Sequence, residues 1–191
     1  MVDGKDVGRA LDLYSAGPEE RSFPAKVDIG TVDVSREHIL LAMRFTGTNP
    51  ESKSDPNPGG MGLDWVMLTP VTGASGGTAT TGTTGTAGSA TGPGVRIEAE
   101  DLEVARVTTG DQSKQEMGGL ADPGTFSGDH IVHWTGQENP GDLIEFKVPV
   151  AKPGKYRITL GIVKSWDYGI YQPMVDGKDV GRALDLYSAG P

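Results

Sequence analysis

One short stretch of the sequence combines aromatic and polar side chains in a way that suits ligand recognition. The segment SWDYGIY places Trp166, Asp167, Tyr168 and Tyr171 close together, and Asn49 lies in the polar segment TGTNP. Aromatic rings stack on apolar C–H faces, while Asn and Asp side chains hydrogen-bond hydroxyl groups. This combination is typical of sugar binding. The alternative is that these rings pack at the rim of a β-sheet core, where aromatic side chains are also common.

The sequence does not indicate catalysis. It contains neither a P-loop nor a dinucleotide-binding fingerprint. Glycoside hydrolysis would need two carboxylates facing each other across a cleft, and no such pair stands out. His130 and His133 do not share a strand face, and His38 opens an amphipathic strand, so we interpret them as surface or half-buried residues. We therefore expect a domain that is not an enzyme.

The charge of the chain excludes several classes of partner. Its formal net charge is −9, its isoelectric point is about 4.7, and it has no basic cluster. Binding to nucleic acid or to an anionic membrane surface requires positive charge, so we expect neither. No apolar run is long enough to span a bilayer, and the chain has no cysteine for a disulfide or a thiolate metal site.

An identical internal repeat determines how the chain is interpreted. Residues 1–18 and 174–191 both read MVDGKDVGRALDLYSAGP, and the second copy begins 173 residues after the first. Chance does not produce such an identity, and an old duplication would have diverged. Two interpretations remain: a piece of an array of near-identical domains, or an engineered circular permutant with duplicated ends. We favour the array, because such repeats are common in exported proteins.

A segment of low complexity divides the chain. Residues 71–94, VTGASGGTATTGTTGTAGSATGPG, are almost entirely small residues and Thr, without a single charge. Such a segment buries too little surface to offset the entropy of ordering it. We therefore expect a flexible Thr/Gly/Ser-rich linker between 1–70 and 95–191.

Hydrophobic periodicity on both sides of the linker predicts strands. In Leu143–Val150, for example, Ile144, Phe146 and Val148 share one face while Glu145 points to the other. No stretch has a convincing helical period. Alternation over many short segments predicts an all-β fold, an antiparallel β-sandwich of the jelly-roll type. The other candidate strands are 25–34, 38–45, 62–69, 95–101, 102–109, 129–134, 156–163, 169–175 and 180–187.

The repeat and the linker together imply a circularly permuted order. Residues 174–191 are identical to 1–18, so in one repeat unit residues 95–191 come first and residues 19–70 follow. Neither part is then a complete domain. We expect 95–191 to supply the N-terminal part and 1–70 the C-terminal part of one sandwich. The copies 1–18 and 174–191 then compete for one position. The displaced copy becomes a frayed tail or a strand that pairs with a second chain in strand-swapped self-association.

Three segments, taken in this permuted order, resemble a known family. They are IEAED at 97–101, PGDLIEFKVPVAKPGKYRITL at 140–160 and GLDWVML at 62–68. They are similar to carbohydrate-binding modules of families 6 and 35, and more broadly to galactose-binding-like β-sandwich modules. The stretch that begins SWDYGIYQPMVDGKDVG looks like accessory jelly-roll domains of exported bacterial glycan-active proteins. The resemblance covers most of 95–191 and 19–70.

The resemblance also implies a metal ion. In such modules, two Glu residues near the first strand and an Asp in the last strand help to hold a structural calcium ion, and here these would be Glu98, Glu100 and Asp64. Two residues apart in one strand, Glu98 and Glu100 would project from the same face. Ca²⁺ requires several oxygen ligands. The alternative is that these are solvated strand acids and that Asp64 forms a surface ion pair.

Together these features predict a non-catalytic carbohydrate-binding-type module that binds a polysaccharide or glycan. We expect one unit of a tandem array on a secreted or cell-surface bacterial protein, with calcium as a structural ion. The alternative function is a structural or adhesive spacer repeat without a small-molecule ligand.

Overall fold

The computed structural model describes residues 22–52, 59–71, 92–137 and 139–189. Within them the chain forms two packed antiparallel β-sheets, so the predicted all-β sandwich is confirmed. These residues contain no α-helix, only two single-turn 3₁₀ segments at Ala99–Asp101 and Ser127–Asp129. No helix among them is long and apolar enough to cross a membrane. The first copy of the repeat and nearly all of the linker lie outside the described residues.

The strands of the described residues are numbered in chain order. They are β1 (Phe23–Val34), β2 (His38–Thr48), β3 (Met61–Pro70), β4 (Val95–Glu98), β5 (Glu103–Val107), β6 (Asp111–Glu116), β7 (His130–Thr135), β8 (Leu143–Pro149), β9 (Gly154–Lys164), β10 (Gly169–Val175), β11 (Lys178–Asp179) and β12 (Leu184–Asp185).

Each sheet is built from strands on both sides of the linker. The first sheet has the order β1-β9-β3-β7-β6, with β4 also paired to β3. The second has the order β11-β10-β2-β8-β5, with β12 also paired to β10. Thus β9 lies between β1 and β3, and β2 lies between β10 and β8. Residues from before and after the linker therefore share one hydrophobic core.

The core lies between the two sheets and is filled by alternate side chains of the long strands. Trp134, Tyr171 and Phe146 are among its largest fully buried side chains. Trp65 and Trp134 both lie in strands, but only Trp134 is part of the core. Trp65 is half-buried on the outer face of the first sheet, where the Arg96 guanidinium lies 4.8 Å from the ring centroid.

Three segments differ from their predicted form. The strand predicted at 95–101 ends at Glu98, because Ala99–Asp101 forms a 3₁₀ turn. The strand predicted at 180–187 is reduced to β12. It is interrupted at Gly181, which has a φ of +67° and lies so close to β1 that a Cβ would sit 2.8 Å from the Ile29 carbonyl oxygen. Strand β6 has no counterpart among the predicted strands, because all of its residues are polar.

The chain ends of the described residues come close to each other in the first sheet. Phe23, at the start of β1, is paired with Lys164. The next residue, Ser165, accepts a hydrogen bond from the Ser188 amide at 3.0 Å. On the other side of the molecule, Leu68 is paired with Val95, so the two flanks of the linker are neighbours as well.

Candidate functional site

Asp64 occupies an irregular position in β3. On one edge of the strand Leu63 is paired with Ile162 and Trp65 with Gly161, so Asp64 forms a bulge. On the other edge the partner changes from β7, which ends its pairing at Leu63, to β4, which begins at Trp65. A bulge redirects a side chain, and it shifts the alternation of inward-facing and outward-facing residues in the rest of the strand. This explains why Asp64 is buried, at 3% exposure, and why Trp65 faces outward.

The surroundings of Asp64 make its ionised form unfavourable. Burial is the main cause that raises its pKa, to about 6 from 3.8, and the negative charges of Glu98 and Glu100 act in the same direction. Two features oppose this rise: the Ser127 amide donates a hydrogen bond to Oδ1 at 3.0 Å, and Arg96 lies nearby. A positive charge placed among these carboxylates would relieve the cost of ionising Asp64.

Glu98 and Glu100 each keep one buried carboxylate oxygen without a partner. Oε1 of Glu98 lies 3.3 Å from the Arg96 Nε, and Oε1 of Glu100 lies 3.9 Å from the Lys114 Nζ. The Oε2 atom of each is buried and has no hydrogen-bond partner. The prediction that both project from one strand face is wrong, because the strand ends at Glu98 and Glu100 lies in the following 3₁₀ turn.

We call Asp64, Glu98 and Glu100 the acidic cluster. Within the described residues, no three His, Asp or Glu side chains converge closely enough to form a ready-made metal site. The donor chemistry nevertheless fits a hard divalent cation, because the cluster offers carboxylate oxygens, two of them buried and unpartnered. Buried charges without partners are costly, so a bound cation would satisfy atoms that the protein leaves unsatisfied.

Two of the predicted sugar-binding aromatics are buried in the sandwich. Tyr171 is fully buried, packs against Phe45 and Trp134 with ring centroids 5.6 and 6.0 Å apart, and donates a hydrogen bond to the Gly59 carbonyl. Tyr168 is 4% exposed and stacks on His133 at 5.9 Å. Burial raises the pKa of both tyrosines above the usual value. Neither ring presents a free face to a sugar in this conformation.

The other three predicted residues remain accessible at the same end of the sandwich. Trp166 and Asp167 are half-buried in the loop between β9 and β10. Asn49 follows β2, and its Nδ2 atom donates a hydrogen bond to Oδ2 of Asp185 at 2.6 Å. Its Oδ1 atom accepts the Glu51 amide at 2.9 Å, which fixes the turn and the side chain together.

The second copy of the repeat adds two residues to this end of the molecule. The Ser165 amide donates to the Leu186 carbonyl at 3.0 Å, and Tyr187 forms a bridge with Ser165, next to Trp166. Tyr187 is half-buried and Asp185 is exposed. The sequence alone gives no signal for Asp185, because the place of this residue depends on the pairing of β12 with β10. We call Trp166, Asp167, Asn49, Asp185 and Tyr187 the loop-end surface.

The loop-end surface rests on a tightly packed base. A Cβ at Gly60 would lie 2.8 Å from the Tyr168 ring, and one at Gly169 would lie 2.7 Å from the Phe45 ring. Only glycine allows the chain to approach these rings so closely. The buried tyrosines thus hold the β9–β10 loop in place.

Comparisons of the chain with protein-family models, with curated proteins and with solved structures find no match in any of the three.

Proposed function

We propose that this chain is a non-catalytic carbohydrate-binding-type module that recognises a polysaccharide through the loop-end surface. The observation that carries the proposal is the position of Trp166 and Asp167, half-buried on the loop that leads into β10, where Ile170 is paired with Asp185 and Asp185 is hydrogen-bonded to Asn49. The Trp166 ring would stack on the apolar face of a sugar ring. The Asp and Asn side chains would hydrogen-bond its hydroxyl groups.

The packing beneath the loop supports this proposal. Recognition is stronger when the binding groups need not be ordered on contact. Tyr168 stacks on His133 under the loop, and Tyr171 donates its hydroxyl hydrogen to Gly59. The buried rings therefore support the two half-buried rings of the loop-end surface.

The affinity of one such surface would be low, because it offers only a few polar groups and two half-buried rings. If the chain is part of an array on an exported bacterial protein, several copies would bind one polymer together and gain by avidity. This agrees with the identical repeat and with the Thr/Gly/Ser-rich linker.

We further propose that the acidic cluster holds a structural calcium ion, with Asp64, Glu98 and Glu100 as its side-chain ligands. The buried, unpartnered oxygens of Glu98 and Glu100 support this assignment. The ion would contribute to stability and would take no part in sugar recognition, because the loop-end surface is formed by other residues.

The test is native gel electrophoresis through a panel of plant and bacterial cell-wall polysaccharides. We expect at least one polymer to retard the unmodified chain, Trp166→Ala to abolish the retardation, and Trp166→Phe to keep part of it. Trp65→Phe is the matched control, since Trp65 is a half-buried tryptophan outside the loop-end surface. Circular dichroism checks that each variant is folded. A folded chain that no polymer retards would contradict the proposal.

A spacer or adhesive repeat without a small ligand is the second candidate. The burial of Tyr168 and Tyr171 favours it, because these rings serve packing. The same experiment separates the two functions. If Trp166→Ala lowers the melting temperature as a core substitution does, and no polymer binds, then the loop-end aromatics are structural.

A further inference from the structure

We propose that the polysaccharide bound at the loop-end surface is acidic, and that a cavity beside this surface receives one of its carboxylate groups. The inference rests on the proposed function and names the ligand class of the same site. We call the cavity the edge cavity. It is lined by Ala25, Val27, Ile162 and Lys164 of the first sheet and by residues 182–185 on the opposite side.

The edge cavity lies where the sandwich opens at one side, and its volume is about 430 Å³. On one side of it is β1, the edge strand of the first sheet, and on the other is β12, which pairs with β10 in the second sheet. The close approach of Gly181 to Ile29 holds residues 182–185 beside β1. Ile162 and Leu184 are buried, so the floor of the cavity is apolar.

Lys164 occupies a position where the inner face of a sheet usually carries an apolar residue. Phe23 is paired with Lys164 and Ala25 with Ile162 in a regular register, and residues two apart in a strand project from the same face. Ile162 belongs to the core, so this face is the inner one. A cation at such a position needs water or an anion to satisfy it.

The two cations of the edge cavity are available to a ligand. Neither Lys164 nor Arg182 forms an ion pair with another residue that the structure describes. Asp185 lines the same cavity, but both of its carboxylate oxygens are engaged. Its Oδ1 atom accepts the Tyr187 amide at 3.0 Å, and its Oδ2 atom accepts Nδ2 of Asn49 at 2.6 Å.

A carboxylate on a carbon stem fits the edge cavity. The guanidinium of Arg182 presents a fork of N–H donors that matches the two oxygens of a carboxylate, and the Lys164 ammonium adds a second positive charge. The apolar floor would pack against the carbon atoms that carry the carboxylate. A sulfate or phosphate ester would bring a bulkier and fully polar group onto that floor, where it gains no hydrogen bonds.

The edge cavity is continuous with the loop-end surface. Asp185 belongs to both, since it lines the cavity and holds Asn49. Lys164 precedes Trp166 by two residues in the chain. A polymer whose sugar ring stacks on Trp166 can therefore extend towards the two cations.

The net charge of the chain limits how the edge cavity can act. At −9 the protein as a whole repels a polyanion, so the cavity does not attract one over a long distance. Its two cations act at short range, because salt at 0.1 M screens exposed charges beyond about 10 Å. We therefore expect the cavity to select carboxylated over neutral polymers once they are in contact.

Chemical reduction of the polymer tests this inference. In native gels, each polymer that retards the unmodified chain is compared with the same polymer after its carboxyl groups have been reduced to primary alcohols. The panel includes neutral, carboxylated and sulfated polymers. We expect the retarding polymer to be carboxylated, and we expect reduction to weaken its binding about tenfold, as for the loss of a hydrogen bond to a charged group.

A double substitution tests the two cations directly. Lys164→Gln with Arg182→Gln should weaken binding of the carboxylated polymer as much as reduction does, and reduction should then have no further effect. The matched control is Lys152→Gln with Lys155→Gln, which removes two charges from exposed lysines near the start of β9. This control should bind as the unmodified chain does, and circular dichroism checks that both variants are folded.

The possible results distinguish this inference from the proposed function. If reduction leaves retardation unchanged, or if only neutral or sulfated polymers are retarded, the inference is overturned and the proposed function stands. Equal loss of binding in the two double variants also overturns the inference, because the effect is then one of net charge. A folded chain that no polymer retards overturns the proposed function and the inference with it.

Discussion

The acidic cluster and the loop-end surface are the two candidate sites of the molecule, and they differ in which kind of side chain is buried at each. In the acidic cluster, polar atoms are drawn inward and left without partners, as the Oε2 atoms of Glu98 and Glu100 show. Around the loop-end surface, apolar rings are drawn inward and fully packed, as Tyr171 shows.

This difference separates evidence for a ligand from evidence for packing. A buried polar atom without a partner is costly and calls for something to satisfy it. A buried aromatic ring is already stabilised by packing and does not need a ligand. The proposed ion at the acidic cluster therefore has a physical reason in the unsatisfied oxygens of Glu98 and Glu100, whereas the packed rings of Tyr168 and Tyr171 do not support a sugar site. The proposed sugar contact therefore rests on Trp166, whose ring is half-buried and keeps part of its surface accessible.

The largest effect is expected from removing a supporting ring. Tyr171→Ala should cost about 3–5 kcal/mol of unfolding free energy, because it opens a cavity beside Trp134 and Phe45. Tyr171→Phe keeps the ring and loses only the hydrogen bond to Gly59, so it should cost about 1 kcal/mol. Urea denaturation measures both. Full stability with lost polysaccharide retardation in Tyr171→Ala would instead make this residue a direct sugar contact.

Calcium should have the next largest effect. Saturating Ca²⁺ at a hundred times its dissociation constant should stabilise the chain by about 2.7 kcal/mol relative to EGTA. Glu100→Gln should remove this difference, because it takes one charge from the acidic cluster. The matched control is Glu103→Gln, an exposed glutamate whose Oε2 atom lies 3.3 Å from the Lys147 Nζ. Denaturation curves that coincide in Ca²⁺ and EGTA would rule out the structural ion.

A smaller effect is expected from His133, which supports Tyr168. Burial lowers the pKa of His133 below 6.5, although the charge of Asp167 partly offsets this. The folded state then binds a proton less readily than the unfolded state, so this contribution to stability is present above pH 6.5 and is lost as the pH falls below it. His133→Gln should flatten that part of the stability profile. An unchanged profile in His133→Gln would show that another group titrates.

Much of the fold follows from alternation that can be seen in the sequence. Ile144, Phe146 and Val148 are predicted to share an inward face of β8, and all three are fully buried. The same rule fails for β6, because Asp111–Glu116 carries no apolar alternation and lies at a sheet edge, held by pairing with β7.

The candidate sites were harder to predict, because they depend on irregularities that alternation does not describe. The bulge at Asp64 buries this carboxylate and turns Trp65 outward, and only the pairing of β3 with β9 shows it. In the same way, the sequence cannot show that Tyr168 meets His133 and Gly60 behind the loop, since these contacts join distant strands. The residue types indicate which kind of ligand each site could bind. The tertiary contacts determine which side chains are packed in the core and which keep accessible atoms.

The central claim is that the loop-end surface binds a polysaccharide, and amide chemical-shift mapping with an oligosaccharide of a retarding polymer tests it most directly. We expect the amide chemical shifts around Trp166, Asn49 and Asp185 to change and to saturate as the oligosaccharide is added. The amides on the outer face around Trp65 should be unaffected. Shifts centred on Trp65, or no saturable shift anywhere in a folded chain, would contradict it.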